Sequence, residues 1–320
     1  MNSTPLASPE LRRDFRAKSF DFASFLFGGA TGLATLLILG ILAVILINTL
    51  VNGWSGLSWR FVSTIAKKDF FDPDTAAILP MIVGTTLRVF VMTFFVIPVG
   101  VITAIYLTEY AHNTSVFTRI IRSAVNNLAG VPSIVFGLFG LGFFINFIGR
   151  NLDTLLRYDQ PTWGHESILW ASMTLAVMTL PVVIVATEES LKAIPTGLRE
   201  ASLALGATKL ETILKIVLPQ ALPGILTGGI LAVSRAAGEV APILFTGAAY
   251  FIADLPHKLT DQFMDLGYHV YVLSTQSDNI EKTRPILFAT ILALLLLTFA
   301  LNVVAIFVRA NMRKKLRSLQ

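Results

Sequence analysis

The sequence predicts an all-α, polytopic membrane protein with six transmembrane helices, and three observations carry that prediction. The 320 residues are 54% hydrophobic and only 14% charged, with a mean hydropathy of +0.70. A soluble domain of this length cannot hide so much apolar surface behind so few charges. The apolar residues fall in six runs, each long enough at about 1.5 Å per residue to cross roughly 30 Å of hydrocarbon. Within the runs small residues recur, with Gly28 and Gly32 four apart, Gly224 and Gly228 likewise, and Gly137, Gly140 and Gly142 in the third. Such spacing lets helix backbones approach closely in lipid and reads as packing.

Taken in order, residues 1–27 form a polar, basic, loosely ordered leader with Arg12, Arg13, Arg16 and Lys18. The run after it is too long for a signal-peptide core and has no small-x-small exit, so no cleaved signal is expected. The first span covers roughly Gly28–Val51, and a polar loop follows at 52–77. The second covers roughly Ile78–Leu107, with Pro80 and Pro98 as bends. A short loop with Arg119 and Arg122 leads to the third, roughly Asn126–Ile148. The fourth, roughly Ser167–Thr187, is broken by Pro181. The fifth and sixth cover roughly Ala221–Ala248 and Pro285–Val308, so the six-helix domain runs over 28–308, and a basic tail occupies 309–320.

Between the fourth and fifth spans, within the loop 188–220, lies EASLALGATKLETILKIVLP from Glu200 to Pro219. Glu200 to Leu205 favours helix, and Gly206 interrupts it. From Thr208 a second helical stretch carries Leu210, Ile213, Leu214 and Val217 along one face until Pro219 stops it or tips it into the next span. The stretch is a polar knob held at a membrane face. Charge assigns the face. With both termini inside, the inner loops hold fifteen Lys or Arg, among them Lys192, Arg199, Lys209, Lys215 and Arg309, against eight outside. That split obeys the positive-inside rule and places the knob in the cytoplasm.

Ionisable residues inside a membrane are costly and point to function. Arg235 lies eleven residues after Gly224 and twelve before Gly247, about 17 Å from each end of the fifth span and so near mid-bilayer. Glu239 follows four residues later on the same face, and the small residues Ala236, Ala237 and Gly238 leave room beside them. One reading is a buried ion pair that fixes packing. The other is a cationic anchor for an anion, since the forked guanidinium matches a tetrahedral oxyanion. Arg88, in the outer half of the second span, either snorkels to the interface or lines the pathway. No Gly-Lys dipeptide occurs, so the chain has no Walker A loop. His112, His165, His257 and His269 lack metal-ligand spacing, Ser133 has no partner for nucleophilic work, and the absence of cysteine excludes disulfides and cysteine-ligated metals. The net charge of +5 is too small for a nucleic-acid signal.

The 200–219 pattern resembles the EAA loop of ABC-importer permeases. VPSIVFG at 131–137 and SRAAGEVAPILFTG at 234–247 extend the likeness to the phosphate-specific (Pst) branch over roughly 76–308, with the APILFTG ending and 255–271 closer to its A-type subunit. The resemblance implies the type I, MetI-like permease fold. It implies that Glu200, Ala201, Ser202, Gly206, Ile216, Leu218 and Pro219 couple to an ATPase, and that Ser234, Arg235 and Glu239 lie on the substrate path, where Arg88 is a further candidate. Ser202 departs from the second Ala of the consensus, and Arg88 matches no family motif. The implied partners are a homologous C-type permease, an ATPase dimer holding ATP and Mg, a phosphate-binding protein outside and membrane lipid, with no cofactor in this chain. A sulfate or molybdate permease and an ion-coupled secondary transporter remain as alternatives.

Overall fold

The computed structural model describes residues 22–66, 70–112, 114–252 and 254–317. The cationic residues of the leader, together with Lys67 and Lys68, lie outside them. The chain divides into two units, one up to Asn48 and one from Thr49 onward. Helix α1 (Phe22–Trp54) begins inside the predicted leader and runs past the boundary, and in the first unit each of its side chains from 24 to 48 is exposed. A helix apolar all round suits contact with lipid or another membrane chain.

The second unit is a helical bundle centred on α7 (Ile168–Lys192), the most buried of the six helices long and apolar enough to cross a membrane. α7 packs on α3 (Leu79–Ile105) and on α10 (Leu218–Ala237), and α10 packs on α12 (Ile280–Arg317). Ser167 starts α7 by accepting a hydrogen bond from Trp170 N–H. Pro181 does not break this helix, nor does Pro98 break α3; both are tolerated within continuous helices. The glycines divide by role. A methyl group at Gly224 or Gly228 would strike Ser190 or Ala186 of α7, and one at Gly140 would strike Thr174, whereas Gly28, Gly32 and Gly142 face nothing within 4 Å.

Three boundaries differ from those the hydropathy predicts. The third span starts at Ser133, as α5 (Ser133–Phe139), a π segment (Gly140–Gly149) and α6 (Arg150–Leu156). The predicted loop before it is instead a separate amphipathic helix, α4 (Val116–Leu128), ended by the Gly130–Pro132 turn. Pro219 ends nothing: α9 (Lys209–Thr212) continues through a π turn (Ile213–Val217) into α10, so one rod runs from Lys209 to Ala237. Pro219 follows directly on that π turn, where the hydrogen-bond ladder is already shifted, and its missing N–H is tolerated within the continuous rod. The fifth span stops at Ala237 rather than Ala248. Gly238 and Pro242 end it, and the apolar residues beyond form a bend with one 3-10 turn (Ile243–Phe245).

The bend packs on the bundle, with Pro242, Ile243, Thr246 and Gly247 buried. Pro242 and Phe245 lie over Gly137, Thr246 lies beside Gly140, and Gly247 lies against the Ser167 carbonyl. VPSIVFG and APILFTG are thus two sides of one close contact. Helices α2 (Trp59–Ser63), α8 (Thr196–Ala204) and α11 (Leu266–Thr275) complete the chain. Among the described residues there is no strand beyond an isolated bridge between Ala248 and Phe263.

Candidate functional site

Two sites stand at opposite ends of the Lys209–Ala237 rod. At its start, α8 and α9 form the predicted helix–bend–helix. Gly206 takes φ +87°, and the N–H groups of Gly206 and Ala207 return to Leu203 O and Ser202 O, which closes α8. Thr208 opens α9 with a reciprocal capping box to Glu211. Ser202 bonds the Thr212 hydroxyl at 2.9 Å. The departure from the Ala consensus therefore supplies a brace between the two arms.

The predicted apolar face splits in two. Ile213 and Val217 are buried, while Leu210 and Leu214 point outward with Leu203 and Leu205, the last 89% exposed. Glu200, Ala201 and Gly206 are exposed, and Ile216, Leu218 and Pro219 are half-buried at the root of the rod.

Arg199, one of the inner-loop charges, ties this knob to the bundle. Its Nη2–H donates to Glu109 Oε1 (2.9 Å) and Leu191 O (2.8 Å), and its Nη1–H donates to Ile194 O (2.7 Å). Arg122 of α4 donates to Glu188 Oε2 and Leu107 O. The ends of α3 and α7 are thereby fastened to α4 and α8.

At the other end the rod stops with Arg235 two residues from its terminus, so Arg235 is not halfway along an unbroken helix. The mid-span placement expected from the sequence therefore does not hold, and Arg235 sits at the end of the helix beside the bend. Glu239 lies beyond the helix and reaches back, with Nε–Oε1 3.5 Å and side chains 49% and 22% exposed. The two Nη groups of Arg235 make no hydrogen bond to the described residues, so the forked end of the guanidinium is open. Ser234, the next residue round the helix, turns to α12 instead and donates to Asn302 Oδ1 at 2.6 Å. Its hydroxyl is occupied in packing.

Arg88 neither snorkels nor faces an open path. It is fully buried, with Nη2 2.8 Å from Asp265 Oδ2 in an ion pair that is dry on both sides. Its Nη1–H donates to Ala236 O (2.9 Å) and its Nη2–H to Ala237 O (3.3 Å). Asp265 Oδ1 caps α11 through the N–H groups of Gly267 and Tyr268, and Thr85 joins Asp265 to Leu266 N–H. No motif marks Arg88 or Asp265, and their separation in the sequence hides the pairing. His269, one turn into α11, is buried edge-on to Phe70 with Nε2 unpartnered. Burial pushes its imidazole from the ordinary 6.5 down to about 3, so it carries no charge into this end at neutral pH.

Comparison with known proteins agrees with this architecture. A chain in the crystal structure of a bacterial alginate ABC transporter, in complex with an alginate-pentasaccharide-bound periplasmic protein, superposes with TM-score 0.60 over 92% of this chain and 95% of its own, at 15% identity. That shows the fold, which is the type I importer-permease fold. The probable ABC transporter permease protein YqgI of Bacillus subtilis strain 168 is 35% identical over 218 residues, 68% of each chain. The phosphate transport system permease protein PstA 1 of Mycobacterium tuberculosis (strain CDC 1551 / Oshkosh) is 39% identical over 161 residues, half of this chain, and the match spans 48% of that relative. Residues 96–318 match the family described as binding-protein-dependent transport system inner membrane component. This chain belongs to that family, the multi-pass inner-membrane permease subunits of ABC importers.

Proposed function

We propose that this permease forms half of the translocation pathway of an ATP-driven importer for inorganic phosphate. The observation that carries the reading is Arg235, a half-exposed guanidinium at a break in α10, held loosely by Glu239 at 3.5 Å with its forked end free. An anion with one to two charges cannot reach membrane depth without a cation. An Arg partly balanced by a neighbouring carboxylate attracts the anion without trapping it, and transport requires release as well as entry. The 39% identity to a phosphate permease supports phosphate among the oxyanions.

In this reading the knob of 200–219 faces the cytoplasm and docks an ATPase dimer, where ATP and Mg reside. A homologous permease supplies the other half of the path, and a phosphate-binding protein delivers from the far side. Both chain ends lie in the cytoplasm. The chain has no native cysteine, so orientation is testable with an impermeant thiol reagent on intact cells. A cysteine at exposed Ser274 should label from outside, and one at Leu205 should not; labelling of position 205 would reverse the orientation.

The substrate assignment is tested by Arg235→Gln in the reconstituted importer. Uptake of labelled phosphate should fall to background while the complex still assembles, and excess sulfate or molybdate should not compete with wild-type uptake. Wild-type uptake by the assembled Arg235→Gln importer would remove Arg235 from the path, and strong competition by sulfate would change the substrate.

A further inference from the structure

We infer that Arg88 is a positioning residue for the pathway, holding the end of α10 so that Arg235 and Glu239 keep their place; the inference rests on the pathway role proposed for that pair. A helix that stops inside a bundle leaves carbonyls to be satisfied and presents the negative end of its dipole, about half an elementary charge. At the end of α10 that negative end would repel an approaching anion two residues from the cation meant to attract it. Arg88 meets both needs. Its Nη2–H donates to the carbonyl of Ala237, its Nη1–H adds to the carbonyl of Ala236 that the Gly238 and Glu239 N–H groups also engage, and its charge lies against the helix terminus.

Asp265 answers in the same way at the next element. Its carboxylate balances Arg88 and caps the N-terminus of α11, where the dipole is positive. Two side-chain charges and two helix ends therefore cancel within one dry junction. Packing around it leaves little slack. A methyl group at Gly84 would fall 2.1 Å from Met264 O, and Ser172 of α7 donates to Arg88 O. α3, α7, α10 and α11 meet here. The residues immediately after the junction on α10 are Gly238, which is exposed, and Glu239.

Site-directed spin labelling of the assembled importer tests this directly. The chain has no native cysteine, and a side chain at Gly238 meets nothing within 4 Å, so a nitroxide at Gly238→Cys reports the end of α10, with a second label at Leu205→Cys as the distant control. In Arg88→Gln the spectrum at 238 should shift to a mobile component while the spectrum at 205 stays unchanged, with phosphate uptake reduced at least tenfold. Asp265→Asn keeps the cap of α11 but removes the counter-charge, and should loosen 238 in the same way. Arg88→Lys, which retains charge without the fork, should give intermediate mobility and partial uptake.

An unchanged spectrum at 238 in assembled Arg88→Gln would overturn the inference. So would failure of Arg88→Lys to assemble, because loss of the fork alone would then be loss of the fold. The spectra need no substrate. If mobility rises while Arg235→Gln transports normally, Arg88 positions the helix end and the pathway assignment is what fails.

Discussion

Two Arg–carboxylate pairs stand within a few residues of one another at the end of α10, and they are built in opposite ways. Arg88–Asp265 is short, wholly buried and bonded to three helices through both Nη groups and both carboxylate oxygens, with only Arg88 Nε left unpartnered. Arg235–Glu239 is long, local in sequence and open to one side. The first has committed both Nη groups to its own chain and is closed off by burial on every side. The second keeps both Nη groups without a hydrogen bond among the described residues. An ionisable residue at membrane depth is a reason to look for function, and here that rule points to two arginines. Exposure separates them, since one pair is closed to solvent and the other is half open.

The largest expected break in this comparison is Asp265→Ala. It leaves Arg88 charged and unpaired in a dry site, which costs about 3–5 kcal/mol. The purified complex should show this as a large fall in its unfolding midpoint. A midpoint close to wild type would mean that water enters the junction and that the pair is not dry in solution. At the far end of the same rod, Gly206→Val should cost about 1–3 kcal/mol, because φ +87° is strained for a β-branched residue while the space around it is empty. Membrane insertion should be normal, with weaker retention of the ATPase and less uptake; full ATPase stimulation by this variant would separate the knob from coupling. The smallest effect on stability is expected at Glu239→Ala, where a half-exposed pair contributes about 0–1 kcal/mol. Its unfolding midpoint should barely move while uptake changes. A loss matching that of Asp265→Ala would make the two pairs alike.

Much of this molecule is legible in its sequence, because lipid imposes local rules. Six long apolar runs become six helices, Gly206 closes α8, and Gly224 and Gly228 meet α7 as the four-residue spacing implies. The misreadings also share one cause. Hydropathy sees that Val240 to Ala248 is apolar, and it does not see that Gly238 and Pro242 have already ended the helix. It averages α4 away, because an amphipathic helix has no net apolar signal. It cannot register that Arg88 meets Asp265, or that Arg199 meets Glu109, because those pairings join distant segments that only the packed bundle brings together. Ser202 looked like a small residue in an Ala position, and its hydroxyl became visible as a brace only once Thr212 stood opposite.

The unbroken run from Lys209 to Ala237 also has a mechanical meaning. Over 29 residues it measures roughly 43 Å. It has the knob at one end and the open guanidinium at the other, and apart from the π turn at Ile213–Val217 and the prolines at 219 and 223 it has no break at which a lever would lose motion. A tilt of a few degrees about its middle swings both tips by an ångström or two in opposite directions. That is enough to lengthen or shorten a 3.5 Å contact at Glu239. A push delivered at Leu205 and Leu210 would thus be felt at Arg235 as displacement, with no relay of side chains in between.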